Sequence, residues 1–194
     1  MMEPIILASQ SRGRRELLEN VGLPIIPLPA DIDETIPWED PAEEITGLAV
    51  RKAWECHRCH PERTENWIIA ADTLVVFQGK PIGKPRDRNE ARAFLKALSG
   101  REHQVISGVA FLDRRNEKMH SSCDITKVQF ARLSDQEIES YLDTGEWQGA
   151  AGAYRIQHKG AFLVEKIEGS FTGVIGLPLY QLYIIMKEAG YPAY

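Results

Sequence analysis

Long apolar runs are missing from this chain. No segment approaches the roughly 18 apolar residues of a membrane-spanning helix, and the N-terminal stretch MMEPIILASQSRGRR has only a short apolar run before its charges. Neither a membrane span nor an export signal is read there, so the protein is expected in the cytoplasm, away from membranes. Low-complexity tracts and internal repeats are also absent, which excludes a linker-like or solenoid architecture. Basic charge is in deficit: 23 Lys+Arg stand against 28 Asp+Glu, a formal net charge of -5. The protein as a whole should not attract a nucleic-acid backbone, and a polyanionic ligand would need local basic groups. Cysteine is scarce and odd in number, at 3, so reduced thiols are expected instead of a disulfide framework. Both a Walker A loop and a dinucleotide fingerprint are lacking, because Gly79 to Gly83 has no Gly-Lys-Ser/Thr order.

One cysteine pattern needs an answer. Cys56, Cys59 and His60 form a literal C-x-x-C-H, which reads as c-type haem attachment or as half of a zinc site. Haem attachment calls for export, and no second closely spaced Cys/His pair completes four zinc ligands. The segment is read as the frayed, exposed end of a helix.

What is present is an ordinary globular composition, 43% hydrophobic and 26% charged over 194 residues, read as a single domain over 1–194. Ile5 to Ala8, then Ser9 to Arg14, then Leu17 and Leu18 read as strand, polar turn and helix, closed by Asn20 to Gly22. Pro24 to Pro41 reads as extended chain and loop around Asp31, Asp33 and Glu34. Pro41 to about Cys56 is helical, with Ile45, Leu48, Ala49, Ala53 and Cys56 on one face. Trp67 to Phe77 is a buried strand, Gln78 to Pro81 a turn, and Asp87 caps a helix ending at Leu98. Gln104 to Leu112 and Ile125 to Leu133 read as paired antiparallel strands, and Ser134 with Glu137 as a capping box for a helix through Leu142. A turn at Gly149 to Ala153, a strand at Ala161 to Ile167, a turn at Gly169 and Ser170, and a helix from Pro178 to Glu188 complete the chain. Strands and helices interleave irregularly, which predicts a mixed sheet of the α/β or α+β kind.

Polar residues on predicted core faces carry the chemistry, because a buried charge costs several kcal/mol unless paired. Lys52 shares the apolar face of its helix and either snorkels to the surface or serves a site. Asp72 interrupts an apolar strand. It either ends that strand in a turn or faces a cleft, where a carboxylate binds a divalent cation or takes a proton from attacking water. The Ser9-to-Arg14 turn offers hydroxyls, backbone N–H groups and a forked guanidinium to a phosphate, or is a plain helix cap followed by a solvated basic turn. Gly83-Lys84-Pro85 holds a lysine between two constrained residues, as a site would and as any tight loop would. Together these groups suffice to hold a triphosphate and a metal and to activate water.

The same residues form an ordered series: Leu7-Ala8-Ser9-Gln10-Ser11 with Arg14, Asp33-Glu34, Leu48-Ala49 with Lys52-Ala53, Ala71-Asp72-Thr73, and Gly83-Lys84-Pro85. Leu98-Ser99-Gly100 with His103, Ser107-Gly108-Val109, Gly145-Glu146, Ala151-Gly152-Ala153-Tyr154 with Ile156-Gln157, and Gly176-Leu177-Pro178 continue it. In this series the chain resembles the Maf family. The resemblance implies two lobes around a cleft in a mixed twisted sheet flanked by helices, similar to inosine triphosphatases. It implies hydrolysis of a nucleoside triphosphate to the monophosphate and pyrophosphate with Mg²⁺ or Mn²⁺, and a homodimer.

By the family pattern Asp72 is the general base or metal-linked carboxylate, Glu34 a second acidic group near the metal, and Ser9, Arg14, Lys52 and Lys84 the phosphate clamp. Thr73 and Gln157 are similar to the branch preferring dTTP and UTP, and a Gln157 amide can both donate to and accept from a pyrimidine edge. Where the family commonly reads Ser-Pro-Arg-Arg, this chain has Ser11-Arg12-Gly13-Arg14, so Gly13 occupies a position linked to substrate choice. Gly149-Ala150 replaces a common Asp-Lys, and His158 the usual glycine after Ile-Gln. Arg12, Arg155 and Lys159 are candidates to restore the lost charge. The alternatives are a housecleaning enzyme for other modified nucleotides such as 7-methyl-GTP, and a nucleotide-binding inhibitor of septum formation.

Overall fold

The computed structural model describes residues 2–35, 37 and 39–192. Ile36 and Trp38, inside the stretch read as loop, lie outside the described residues. Strands β1 (Ile5–Leu7), β2 (Ile25–Pro27), β3 (Trp67–Phe77), β4 (Lys80–Ile82), β5 (Glu102–Asp113), β6 (Lys118–Phe130) and β7 (Val164–Glu168) form one sheet. Its order is β2-β1-β3-β5-β6-β7, with β4 also on β3. Both β2 and β3 run parallel to β1, whereas β4 on β3 and β7 on β6 are antiparallel, so the sheet is mixed as expected. The helices are α1 (Arg12–Asn20), α2 (Pro41–Cys59), α3 (Arg88–Leu98), α4 (Asp135–Leu142), α5 (Phe171–Ile175) and α6 (Leu179–Glu188).

The chain divides into two compact units: Met1–Asp72 with Ser107–Asp124 and Gly176–Tyr194, and Thr73–Ile106 with Ile125–Ile175. In the first unit the two-residue period of a strand sends neighbouring side chains to opposite faces. Ile5, Leu7, Trp67, Ile69, Val109 and Phe111 meet Leu18 of α1 and Leu182, Ile185 and Met186 of α6. Ile6, Ala8, Ile68, Ala70, Ala110 and Leu112 meet Ala49, Ala53 and Cys56 of α2. Both faces are covered, which is why these strands read as continuous apolar runs rather than alternating ones. The α2 face is lined by alanines and by Gly108, where a Cβ would come 2.7 Å from the Ile45 carbonyl oxygen. That close approach brings the next residues of α2 down onto the sheet.

Helix α2 starts at Asp40, whose side chain accepts from the N–H groups of Ala42 and Glu43, with a proline in its first turn. It ends at Cys59. Cys56 is buried in the core and only Cys59 is exposed, so the helix end is not frayed as far back as Cys56.

The second unit is built around Leu95, Leu98, Val128, Phe130, Ile138, Leu142 and Tyr154. The Ser134–Glu137 capping box forms as read, and Arg88 and Arg92 of α3 pair with Glu139 of α4. Several readings need correction. The Gln78-Gly79 turn is tighter than expected and leads directly into β4, both residues having positive φ. Ala161 to Leu163, read as the start of a strand, belong instead to a 3-10 helix at Lys159–Leu163, and the strand begins at Val164. Strand β6 begins at Lys118 instead of Ile125, α5 follows the Gly169–Ser170 turn where no element was read, and β2 lies in the stretch read as extended chain and loop.

His103 is a buried titratable side chain in this unit, at 2% exposure. Its Nε2 lies 2.8 Å from the Tyr154 hydroxyl, its Nδ1 is buried without a partner among the described residues, and its ring meets Phe130 and Tyr154 edge-on. Burial pushes its pKa down to about 4. The unfolded chain, near 6.5, therefore binds more protons below that value, and stability should fall as pH is lowered from about 6.5 towards 4. Urea midpoints of the wild type and His103→Gln across that range should diverge with pH. A constant difference would reject the buried neutral imidazole.

Candidate functional site

The parallel strands β1 and β3 pair Ile5 with Trp67 and Leu7 with Ile69. Ser9 follows the carboxyl end of β1, the kind of place where open α/β sheets bind ligands, and Asp72 lies on β3 just past Ile69, the last residue paired with β1. Strand β3 is continuous through Asp72, so the carboxylate does not end a strand in a turn. Its pairing with β4 starts only at Val75, which leaves Asp72 between the segments of β3 paired with β1 and with β4.

Ser11 caps α1 by accepting from the Arg14 N–H. Ser9 Oγ accepts from the Ser11 N–H at 3.2 Å and from Arg14 Nη1 at 3.1 Å. Arg14 Nε donates to the Gly176 carbonyl at 2.8 Å, and Nη2 lies 3.8 Å from Asp72 Oδ1. The fork is thus held from three directions. Burial pushes the Arg14 pKa below the usual arginine value, opposed by the charges of Asp72 and Glu34; a guanidinium stays protonated regardless.

Lys52 does not snorkel. Its side chain is 8% exposed and its Nζ lies 2.8 Å from Asp72 Oδ2 and 2.6 Å from Glu34 Oε1. Glu34, in contrast, is 55% exposed. Lys52 and Arg14 therefore balance Asp72 and Glu34 in a cluster of no net charge. Losing one partner of such a well-buried pair typically costs about 3–5 kcal/mol, less for the exposed Glu34.

The structure thus brings Ser9, Arg14, Lys52, Glu34 and Asp72 together within the first unit, as the sequence suggested. Gly13 is buried in the first turn of α1. Thr73, Lys84 and Gln157 belong to the second unit. There Lys84 is exposed next to Gly83, whose carbonyl accepts from the Gly152 N–H at 3.1 Å. Gln157 is half-buried in a turn closed by the His158 N–H on the Arg155 carbonyl. Two candidates for replacing the lost charge are engaged elsewhere: Arg12 pairs with Glu16 on the exposed side of α1, and Arg155 donates to the carbonyls of Glu146 and Gln148. The Gly176 carbonyl was not legible as part of the site, since no side chain marks it and it lies 162 residues from Arg14.

Among the described residues no group of three or more His, Cys, Asp or Glu side chains could hold a metal ion, and no helix is long and apolar enough to cross a membrane.

The family model for Maf-like protein matches residues 4–189. A dTTP/UTP pyrophosphatase from Caldanaerobacter subterraneus is 44% identical over 95% of this chain and 88% of its own length. Another from Carboxydothermus hydrogenoformans is 43% identical, covering 96% of this chain and 99% of its own. A nucleoside-triphosphatase (dITP/XTP pyrophosphatase) structure from Mycobacterium abscessus is 18% identical with a TM-score of 0.38, over 67% of this chain and 74% of that one, a likeness too partial to carry weight. On the match along nearly its whole length, the chain belongs to the Maf family.

Proposed function

We propose that this protein is a nucleoside triphosphate pyrophosphatase that hydrolyses dTTP and UTP to the monophosphate and pyrophosphate. The observation that carries the reading is the Arg14–Asp72–Lys52–Glu34 cluster, with Asp72 on β3 just past the segment paired with β1. Two buried cations held against a shielded carboxylate are what an anhydride hydrolysis needs. The names of relatives more than 40% identical over nearly the whole chain supply the substrate class.

Asp72 accepts the proton of the attacking water as the new oxygen–phosphorus bond forms and the α,β-anhydride bond breaks, with pyrophosphate leaving. Arg14 and Lys52 turn from carboxylate to phosphate oxygens and offset the growing negative charge. Ser9 keeps the Arg14 fork aimed, and by the family pattern Lys84 is assigned to a further phosphate contact and Thr73 and Gln157 to the base. Glu34 and Asp72 are hard oxygen donors already within reach of one ammonium, a set that fits Mg²⁺ or Mn²⁺ completed by phosphate oxygens and water. Such an ion would neutralise phosphate charge and polarise the reacting phosphoryl group.

The test is pyrophosphate release from dTTP, UTP, CTP, GTP, 7-methyl-GTP and ITP with Mg²⁺ or Mn²⁺, repeated with a chelator. Turnover of dTTP and UTP that chelation abolishes is expected. Preference for a purine would discard the roles of Thr73 and Gln157, and no turnover of any nucleotide would reject the enzyme.

A further inference from the structure

The turn that presents Gln157 is gripped at both ends by one residue, Glu146. On the upstream side, Arg155 Nε donates to the Glu146 backbone carbonyl at 3.0 Å. On the downstream side, the Glu146 carboxylate accepts from the Lys159 N–H through Oε1 and from the Gly160 N–H through Oε2, both at 3.3 Å. These two N–H groups open the 3-10 helix at Lys159–Leu163, whose preceding residue, His158, gives no side-chain cap. Glu146 therefore supplies from outside the anionic acceptor that a helix start lacks.

The rest of the turn is closed tightly. Gly160 lies so near the Arg155 backbone that a Cβ there would meet its carbonyl oxygen at 2.5 Å. The Arg155 N–H donates to the Tyr141 hydroxyl at 3.1 Å, and Glu146 is itself set by its N–H on Thr144 Oγ1 at 3.1 Å.

A glutamine amide alone cannot tell uracil from cytosine. Uracil offers an acceptor at O4 and a donor at N3, cytosine the reverse, and an amide turned over by 180° suits either. Discrimination therefore depends on where the backbone carries the amide relative to the base edge, since an amide displaced from its surroundings turns over freely to suit cytosine. We infer that Glu146 is a positioning residue that fixes the Gln157 turn and thereby sets the preference for uracil and thymine over cytosine. The inference rests on the reading that Gln157 contacts the base.

The experiment measures kcat and KM for UTP and CTP in wild type, Glu146→Ala, Glu146→Gln, Gln157→Ala and the Glu146→Ala/Gln157→Ala double variant. Glu146→Ala should lower the UTP-over-CTP ratio of kcat/KM by on the order of tenfold, mostly through KM. Glu146→Gln keeps one acceptor oxygen and should recover most of the ratio. The double variant should be no less selective than Gln157→Ala alone, since both act on one group. If Glu146→Ala does not fold, Glu146→Asp withdraws the carboxylate by one methylene and should lower the ratio in the same direction. A ratio unchanged by Glu146→Ala or Glu146→Asp while Gln157→Ala loses it overturns the inference. Equal loss on UTP and CTP, the mark of a merely structural role, overturns it too. If Gln157→Ala keeps the wild-type ratio, the assignment of Gln157 to the base fails first, and this inference with it.

Discussion

Asp72→Asn should slow pyrophosphate release by on the order of 10³-fold, within the range that removal of a general base typically costs, while nucleotide binding is kept or strengthened. The replacement preserves side-chain size and removes charge and basicity. The amide oxygen can still accept from Lys52 Nζ, which lies 2.8 Å from Oδ2, but it cannot take a proton from water. The cluster of two cations and two carboxylates becomes positive by one, which favours a triphosphate. Some stability is lost, because Arg14 and Lys52 each lose the charge of a paired carboxylate. The cores of both units lie elsewhere, so the variant should fold. Calorimetric titration with a nucleotide, alongside turnover, checks both halves. Wild-type turnover in a folded Asp72→Asn protein would remove Asp72 from the chemistry, and loss of binding together with turnover would make it a structural anchor instead.

Lys52→Met should lower kcat/KM for UTP by on the order of 10²-fold, the size of effect expected when one preorganised charge is taken from a transition state. Methionine is close in length to the buried lysine stem and apolar, so the packing around it is largely kept. What disappears is the ammonium that meets both carboxylates. The deficit should appear in KM as well as kcat, since the charge acts on bound and reacting phosphate alike. Steady-state kinetics within about twofold of wild type would exclude Lys52 from the phosphate clamp, an interval well below the effect of a lost charge-assisted contact.

Lys52 and Asp72 were legible because periodicity put them where only apolar residues belonged, and each carried two readings that the sequence could not separate. The structure separates them by placing the two side chains against each other, which no local pattern encodes. Helix α2, strand β3 and the capped helices α3 and α4 were readable because a cap or a strong apolar stripe marks each. Strand β6 was readable only from Ile125 onward, since Lys118 to Asp124 is polar and carries no apolar alternation. Helix α5 is five residues long, too short for a helical period to show. β2 hid in a stretch where prolines argued for loop, although a sheet edge tolerates proline. The Glu146 grip on the Gln157 turn escaped for another reason: backbone N–H groups accept no signature, so a residue acting through them looks like any surface glutamate.

The balanced charges around Lys52 have a bearing on what the site refuses. A resting site that already holds its own two carboxylates is, to an incoming anion, occupied. Inorganic phosphate or sulfate would exchange one anion for another and gain little, while still losing its hydration. A triphosphate brings charge over several oxygens at once, enough to engage Arg14 and Lys52 together after the carboxylates are displaced. With Arg14 and Lys52 in the proposed phosphate clamp, the internal carboxylates should act as a threshold that lets polyphosphates compete, and simple oxyanions should inhibit only weakly.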